Sequence, residues 1–426
     1  MNPLLRKTLV LLGGIAAAIT CNAQGPDPIV ATPDHADGVY REGEPIHWQI
    51  KVTGKDGSDV SSISYSIKNG GLTPMGDGTI PLTNGTGNLT STLAQPGTLL
   101  VSFKSSDGKL KGTGGALVAP EKLKAGATCP EDFDAFWNTK LKELETIPPN
   151  PVLTSAPSGK DGVDYAKITL DNVHGTHVQG QIAKPSTGDK FPAILQLQYA
   201  GVYPLLKPWV TERASKGWLV MDIMAHDLPI DESEDFYKEQ TAGLLKNYTS
   251  IGYENRDTSY FVRMFLGCKR AADYLASRPD WDGKTFVIMG TSQGGLQSFV
   301  TAAFFPKATA VIVEVPAGCD QNANAAGRAF GWPYWGASHK DNVMQVSRYF
   351  DAANFAARTK CPLLVGVGLL DVTAPVGCVY AAYNQATGPK EIVPMPQGDH
   401  KRGHEAFSRR REAWLKAIAA GEAPVH

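Results

Sequence analysis

Between residues 28 and 119, apolar and polar positions alternate in short runs separated by Gly, Asn and Asp. Ile46, Trp48, Ile50 and Val52 form one such run, Ile63, Tyr65 and Ile67 a second, and Leu99, Val101 and Phe103 a third. A period of two sets one face of each strand on a core and the other in water, and no amphipathic helix interrupts it. The pattern predicts a small all-β, immunoglobulin-like sandwich domain over residues 26–120, with Trp48 in phase with its core face. Past residue 128 the rhythm changes. Phe133, Phe136, Trp137, Leu141 and Leu144 fall on one stripe at helical spacing, predicting a helix opened by Pro130. Two β segments follow, at 164–170 and 177–184. Almost wholly apolar runs at 193–198, 218–223, 285–289, 310–315 and 363–369 then alternate with helical patterns. Strands without a polar face need cover on both sides, so residues 128–426 are expected to form an α/β unit, a mostly parallel sheet flanked by helices.

Length agrees with this division, because 426 residues exceed the usual reach of one core. Charge excludes one class of partner: 41 Lys and Arg against 42 Asp and Glu give no field to steer a nucleic acid. The first residues carry Arg6 and Lys7, an apolar run at 9–19 and the small-residue site Cys21-Asn22-Ala23. That is the layout of a signal peptide over residues 1–23, and it predicts export to the periplasm or the cell exterior. A lipoprotein signal at Cys21 is the competing reading, poorly matched by the preceding Ala18-Ile19-Thr20. The run is too short to span a bilayer, and no later stretch reaches the roughly 18 apolar residues required. Cys129, Cys268, Cys319, Cys361 and Cys378 remain after cleavage, scattered and without CxxC spacing. They imply neither a disulfide framework nor a zinc site, although one bridge stays open.

The chemistry concentrates at Gly290-Thr291-Ser292-Gln293-Gly294-Gly295, directly after the apolar run at 285–289. A serine between glycines, between a strand and a helix, has the layout of a nucleophile elbow. A serine hydroxyl is a weak nucleophile near neutral pH, so it needs a base, and the base needs a group to hold its tautomer. In the α/β-hydrolase order the acid follows the serine and the histidine follows the acid. Of the nine histidines only His339, His400, His404 and His426 follow Ser292. Asp371 closes the run at 363–370, where the acid belongs, and His400 lies on the loop after the strand at 391–395. His404 stands four residues on, at the start of a closing helix, and is the weaker candidate. The oxyanion formed on attack needs two backbone N–H donors. One is assigned to Gln293, the other to the loop after 193–198, among Tyr199, Ala200 and Gly201.

With these blocks in place, the chain from Pro130 onward resembles the acetyl xylan esterase and cephalosporin C deacetylase family. The resemblance rests on Pro130-Glu131-Asp132-Phe133-Asp134-Ala135-Phe136-Trp137, on Ser292-Gln293-Gly294-Gly295 and on Tyr349-Phe350-Asp351 with Asn354-Phe355-Ala356-Ala357-Arg358. It continues through Gly368-Leu369-Leu370-Asp371, Ala381-Ala382-Tyr383-Asn384, Gly388-Pro389-Lys390-Glu391-Ile392 and Pro396 leading to His400. It implies an α/β-hydrolase fold and removal of acetyl groups from plant-polysaccharide sugars through a triad of Ser292, Asp371 and His400. An acetylated oligo- or polysaccharide is then the partner, and neither a metal nor an organic cofactor is required. The chain departs from the family at Met224-Ala225-His226-Asp227, where an Arg-Gly-Gln-Gly turn is usual, at Lys401, where glutamate is usual, and in its added N-terminal sandwich. Trp332 and Trp335, in an aromatic cluster after the run at 310–315, are possible pocket walls, with core packing or a subunit contact as alternatives. The competing functions are an esterase or peptidase for larger acyl groups, and a non-catalytic glycan-binding protein on the same fold. Oligomeric state is left open.

Overall fold

The structure is a computed structural model that describes residues 27–53 and 60–424. The expected signal peptide, Cys21 included, lies outside the described residues.

Two sheets organise the chain. The first contains β1 (Ile29–Pro33), β2 (Val39–Tyr40), β3 (Ile46–Val52), β4 (Ser62–Asn69), β5 (Thr73–Pro81), β6 (Thr86–Ser91), β7 (Gly97–Ser105) and β8 (Lys111–Val118). Its order is β5-β4-β7-β8-β1-β3-β6, with β2 beside β8. Neighbours are antiparallel except where β1 and β2 meet β8. β3 shows why it folds: Ile46, Trp48, Ile50 and Val52 are buried, while His47, Gln49 and Lys51 are exposed. Together with Leu99, Val101 and Phe103 they close the sandwich core, in which the Trp48 indole donates to Ser91 Oγ at 2.8 Å.

β8 behaves differently. It is buried along its last five residues, Gly114 to Val118. Ala116 and Val118 point into the sandwich core, whereas Leu117 belongs to the core of the second unit. One strand therefore serves two cores through its two faces.

The second sheet runs β17-β16-β15-β14-β12-β13-β11-β10-β9. Its strands are β9 (Val152–Ser155), β10 (Val163–Asp171), β11 (His177–Pro185), β12 (Phe191–Leu197), β13 (Leu219–Ile223), β14 (Trp281–Thr291), β15 (Ala310–Glu314), β16 (Leu363–Gly368) and β17 (Lys390–Met395). The six strands from β17 to β13 are parallel; β11, β10 and β9 add an antiparallel edge. The helices are α1 (Phe133–Glu145), α2 (Pro208–Ala214), α3 (Glu234–Ala242), α4 (Tyr260–Ser277), α5 (Gln293–Phe304), α6 (Asp341–Ser347), α7 (Ala352–Ala356), α8 (Val376–Tyr383) and α9 (Glu405–Ala419). Successive strand residues feed opposite layers, which explains the unbroken apolar runs. Ile288, Val311 and Val365 pack under α1, α4, α5 and α8; Val287, Ile312 and Leu364 pack under α9 and α2. α1 begins three residues later than its opening proline suggested. Pro130 instead heads a turn in which its carbonyl accepts from the N–H of Phe133.

The five described cysteines are free thiols, Cys268, Cys319 and Cys378 buried and Cys129 and Cys361 half-buried. Burial pushes every one of these thiols above its ordinary value, Cys268 to about 12 and Cys361 to about 11. Among the described residues no helix is long and apolar enough to cross a membrane, and no cluster of His, Cys, Asp and Glu could hold a metal ion.

Candidate active site

Ser292 stands between the end of β14 and the start of α5 with φ 55° and ψ −118°, a backbone conformation that L-residues rarely adopt. Such a conformation costs about 1–3 kcal/mol and persists only where its surroundings over-determine it. Here they do. The Ser292 N–H donates to Glu314 O at 2.9 Å, and its carbonyl accepts from the N–H groups of Gly295 and Ala317. Gly290 and Gly294 are required by contact: a Cβ on the first would lie 2.1 Å from Gly294 O, and on the second 2.2 Å from Leu197 O.

The partners come from the ends of two further strands. The loop after β16 carries Asp371, 4 % exposed, and the loop after β17 carries His400. His400 Nδ1 lies 2.7 Å from Asp371 Oδ2, and His400 Nε2 lies 2.9 Å from Ser292 Oγ. The other Asp371 oxygen accepts two backbone N–H bonds, from Thr373 and Ala374, each at 2.8 Å. One carboxylate oxygen thus faces the imidazole while backbone N–H groups hold the other. The two loops are also knit together, since Leu370 N–H donates to Gly398 O at 2.9 Å.

His404 is placed elsewhere. Its Nδ1 meets Glu314 Oε1 at 3.1 Å and its Nε2 meets the carbonyl of Asp399 at 2.7 Å. Burial alone would lower the His404 pKa, but these two acceptors outweigh it and raise it. Glu314 also takes the Thr291 hydroxyl at 3.2 Å, so it joins the His400–His404 loop to the residue before Ser292. Burial would raise the Glu314 carboxyl, yet His404, Arg411 and Thr291 together bring it below its ordinary value.

The three-residue loop Tyr199-Ala200-Gly201 is set by side chains that sequence reasoning did not single out. Gln297 of α5 donates to the Gln198 carbonyl at 2.9 Å, tying the loop to the helix that starts at Gln293. Tyr199 stacks on Tyr203 with 4.8 Å between ring centroids. His226, fully buried, sits with Nε2 3.0 Å from Gly201 O and Nδ1 2.6 Å from the Tyr260 hydroxyl. Arg263 donates to that hydroxyl at 2.7 Å. The chain runs in one direction: Arg263 to Tyr260, Tyr260 to Nδ1, and Nε2–H to the Gly201 carbonyl. It requires a neutral imidazole, in keeping with burial and nearby Arg263 pushing its pKa down to about 3. His226 belongs to Met224-Ala225-His226-Asp227, the segment singled out in the sequence as a departure from the resemblance, and that departure is the signal that could have found it. Gln293, also buried, accepts from the Tyr248 hydroxyl.

The aromatic pair resolves differently from expectation. Trp335 is 2 % exposed, packs 5.1 Å from the Phe261 ring and donates its indole N–H to Thr249 O at 2.8 Å. It is a core residue and not a pocket wall, because its large apolar ring finds more buried contact among Phe261, Phe350 and Tyr253 than at a rim. Trp332 is half-buried and stacks on the same Phe261 at 5.8 Å.

Strand order, elbow and loop placement together define an α/β-hydrolase fold with its polar site at the carboxyl ends of parallel strands. The sequence matches the acetyl xylan esterase (AXE1) family over residues 119–418, and the chain belongs to that family. It is accordingly a carboxylic ester hydrolase. It is 30 % identical over 431 residues to acetyl esterase Axe7A of Xylanibacter ruminicola, an alignment covering 98 % of this chain and 97 % of the relative. That coverage takes in the N-terminal β unit. The fold is similar to that of an acetyl xylan esterase from Paenibacillus sp. R4, with TM-score 0.60 and 22 % identity over 71 % of this chain and 98 % of the other. It is equally similar to acetyl xylan esterase 1 from Thermoanaerobacterium sp., with TM-score 0.60 and 24 % identity over 68 % and 96 %.

Proposed function

We infer that this chain is an exported two-domain deacetylase that releases acetate from acetylated plant-polysaccharide sugars, xylan foremost, using Ser292, His400 and Asp371. One observation carries the reading: a single imidazole bridges the Asp371 carboxylate at 2.7 Å and the Ser292 hydroxyl at 2.9 Å. Export rests on the charged and apolar pattern of residues 1–23. The division into 26–120 and 128–426 is supported by the two sheets, each with its own core.

In this reading Ser292 Oγ attacks the acetyl carbonyl carbon while His400 Nε2 takes the serine proton. The carbonyl electron pair moves onto oxygen, and that oxyanion is met by the N–H of Gln293 and one N–H of the Tyr199–Gly201 loop. As the pair returns, the bond to the sugar oxygen breaks and His400 passes its proton to that oxygen. The acetyl group is now an ester of Ser292. Water repeats the sequence: His400 takes its proton, the hydroxide portion attacks, and acetate leaves as Ser292 regains a proton. Asp371 orients the ring and stabilises its charged form throughout. Rigidity in the Tyr199–Gly201 loop supports the oxyanion step, because donors that need not reorganise stabilise the transition state most.

The test is acetate release from acetylated xylo-oligosaccharides, with p-nitrophenyl esters of increasing chain length in parallel. Acetate is expected to be turned over fastest, and Ser292→Ala to abolish turnover. Equal or better hydrolysis of long acyl chains would replace the deacetylase reading with that of a general esterase.

A further inference from the structure

The N-terminal sandwich touches the hydrolase unit at the two loops that carry Asp371 and His400. Gly115 of β8 faces Leu369, two residues before Asp371, and a Cβ there would lie 2.5 Å from the Leu369 carbonyl oxygen and 2.9 Å from its Cβ. Gly38, at φ 70°, leaves room only for the Leu369 side chain, and its absent Cβ would sit 2.6 Å from Leu369 Cδ2 and 3.6 Å from Pro396. On the base loop, Gln397, three residues before His400, donates its side-chain N–H to the carbonyl of Ala31 in β1 at 2.9 Å. Just beyond, Arg402 pairs with Asp27 at 3.5 Å. The backbone of the sandwich thus acts as an anvil under Leu369 on one side and Gln397 on the other. Leu369 is itself bonded across to the base loop's strand, its N–H donating to Met395 O at 3.1 Å.

We propose that the sandwich is a positioning element of the catalytic site: the surface formed by Gly115, Gly38 and the Ala31 carbonyl sets the spacing between the Asp371 and His400 loops. This rests on the triad reading above. A linked domain whose only role were carbohydrate capture would more naturally join through a polar, mobile interface. Here backbone meets backbone, and a side chain at position 115 has nowhere to go except by moving Leu369.

The experiment uses the full chain in three variants. Gly115→Val pushes on the acid loop from the sandwich side. Gln397→Ala removes the tie from the hydrolase side without altering the sandwich. Val101→Ala, buried in the sandwich core with no contact to Leu369 or Gln397 among those above, is the matched control for lost stability. With p-nitrophenyl acetate below the melting temperature, Gly115→Val is expected to lower kcat tenfold or more, and Gln397→Ala about threefold, both with KM unchanged within twofold. The low-field proton resonance of the imidazole N–H shared with Asp371 is expected to shift or vanish in the first and to stay in place in Val101→Ala. Equal kcat losses in all three, or an unmoved resonance in Gly115→Val, would overturn the proposal. Should Gly115→Val not fold, Gln397→Ala decides by itself: unchanged kcat and resonance overturn it. Retained activity in Ser292→Ala would instead remove the triad reading on which it stands.

Discussion

His400 and His404 lie four residues apart on one loop, each with a carboxylate at Nδ1, and in the proposed mechanism only one moves a proton. The difference is at the second nitrogen. His400 Nε2 faces a hydroxyl, which can give up a proton as readily as accept a bond. His404 Nε2 faces the carbonyl of Asp399, which can only accept. A ring held between two acceptors is favoured in its charged form and serves as a rivet; a ring between an acceptor and a hydroxyl can alternate. Residue type and carboxylate partner are the same in both, so role is decided by what the far nitrogen meets.

The contrast breaks first at His400. His400→Ala is expected to cut kcat by roughly 10⁴- to 10⁶-fold with the melting temperature nearly unchanged, checked by steady-state kinetics beside a thermal scan. Asp371→Asn keeps the shape but offers an amide to the imidazole, favouring the wrong tautomer, and a loss of about 10⁴-fold in kcat is expected. His404→Gln inverts the pattern. It should cost about 1–3 kcal/mol of stability and about tenfold in kcat, because the half-buried Glu314 carboxylate loses its imidazole partner and keeps only Arg411 and Thr291.

That rivet also has a pH signature. His404 is raised above its ordinary 6.5 in the folded protein, so its contribution to stability is complete below pH 6.5 and fades as pH rises through the raised value. Over that window the melting temperature of the parent protein is expected to fall relative to that of His404→Gln; parallel curves would show that His404 is not charged. The smallest effect is expected at Thr291→Val, which removes only the 3.2 Å hydroxyl bond to Glu314. About 1 kcal/mol of stability and no more than about a twofold change in kcat should follow.

What was legible in the sequence follows from which forces act locally. Continuous apolar runs announced the parallel strands, since a strand buried on both faces has no polar position to spare. The elbow was legible because Gly290 is demanded by Gly294, four residues on, whereas Gly294 answers to Leu197, far back along the chain. Asp371 and His400 are singled out by order along the chain and by distance from the end of a strand, and the structure brings both to Ser292. The hydrogen-bonded chain from Arg263 through Tyr260 and His226 to Gly201 was illegible, because its members are joined only by folding. Trp335 misled for a related reason: an aromatic cluster in sequence does not say whether its rings face ligand or one another. The alternation in β3 gave a sandwich with a core and a wet face, but the last five residues of β8 have no wet face, and Gly115 acquires its meaning only from Leu369, far along the chain.

The five thiols offer a use unconnected with catalysis. They are spread from Cys129, ahead of α1, through Cys268 in α4 and Cys319 after β15, to Cys361 before β16 and Cys378 in α8. Burial holds Cys268, Cys319 and Cys378 in the less reactive thiol form and out of reach, so an alkylating reagent meets their thiolates only when a segment opens. The chain therefore carries its own set of site-resolved clocks, from which the order in which α4, α8 and the end of β15 come loose can be timed without adding a label.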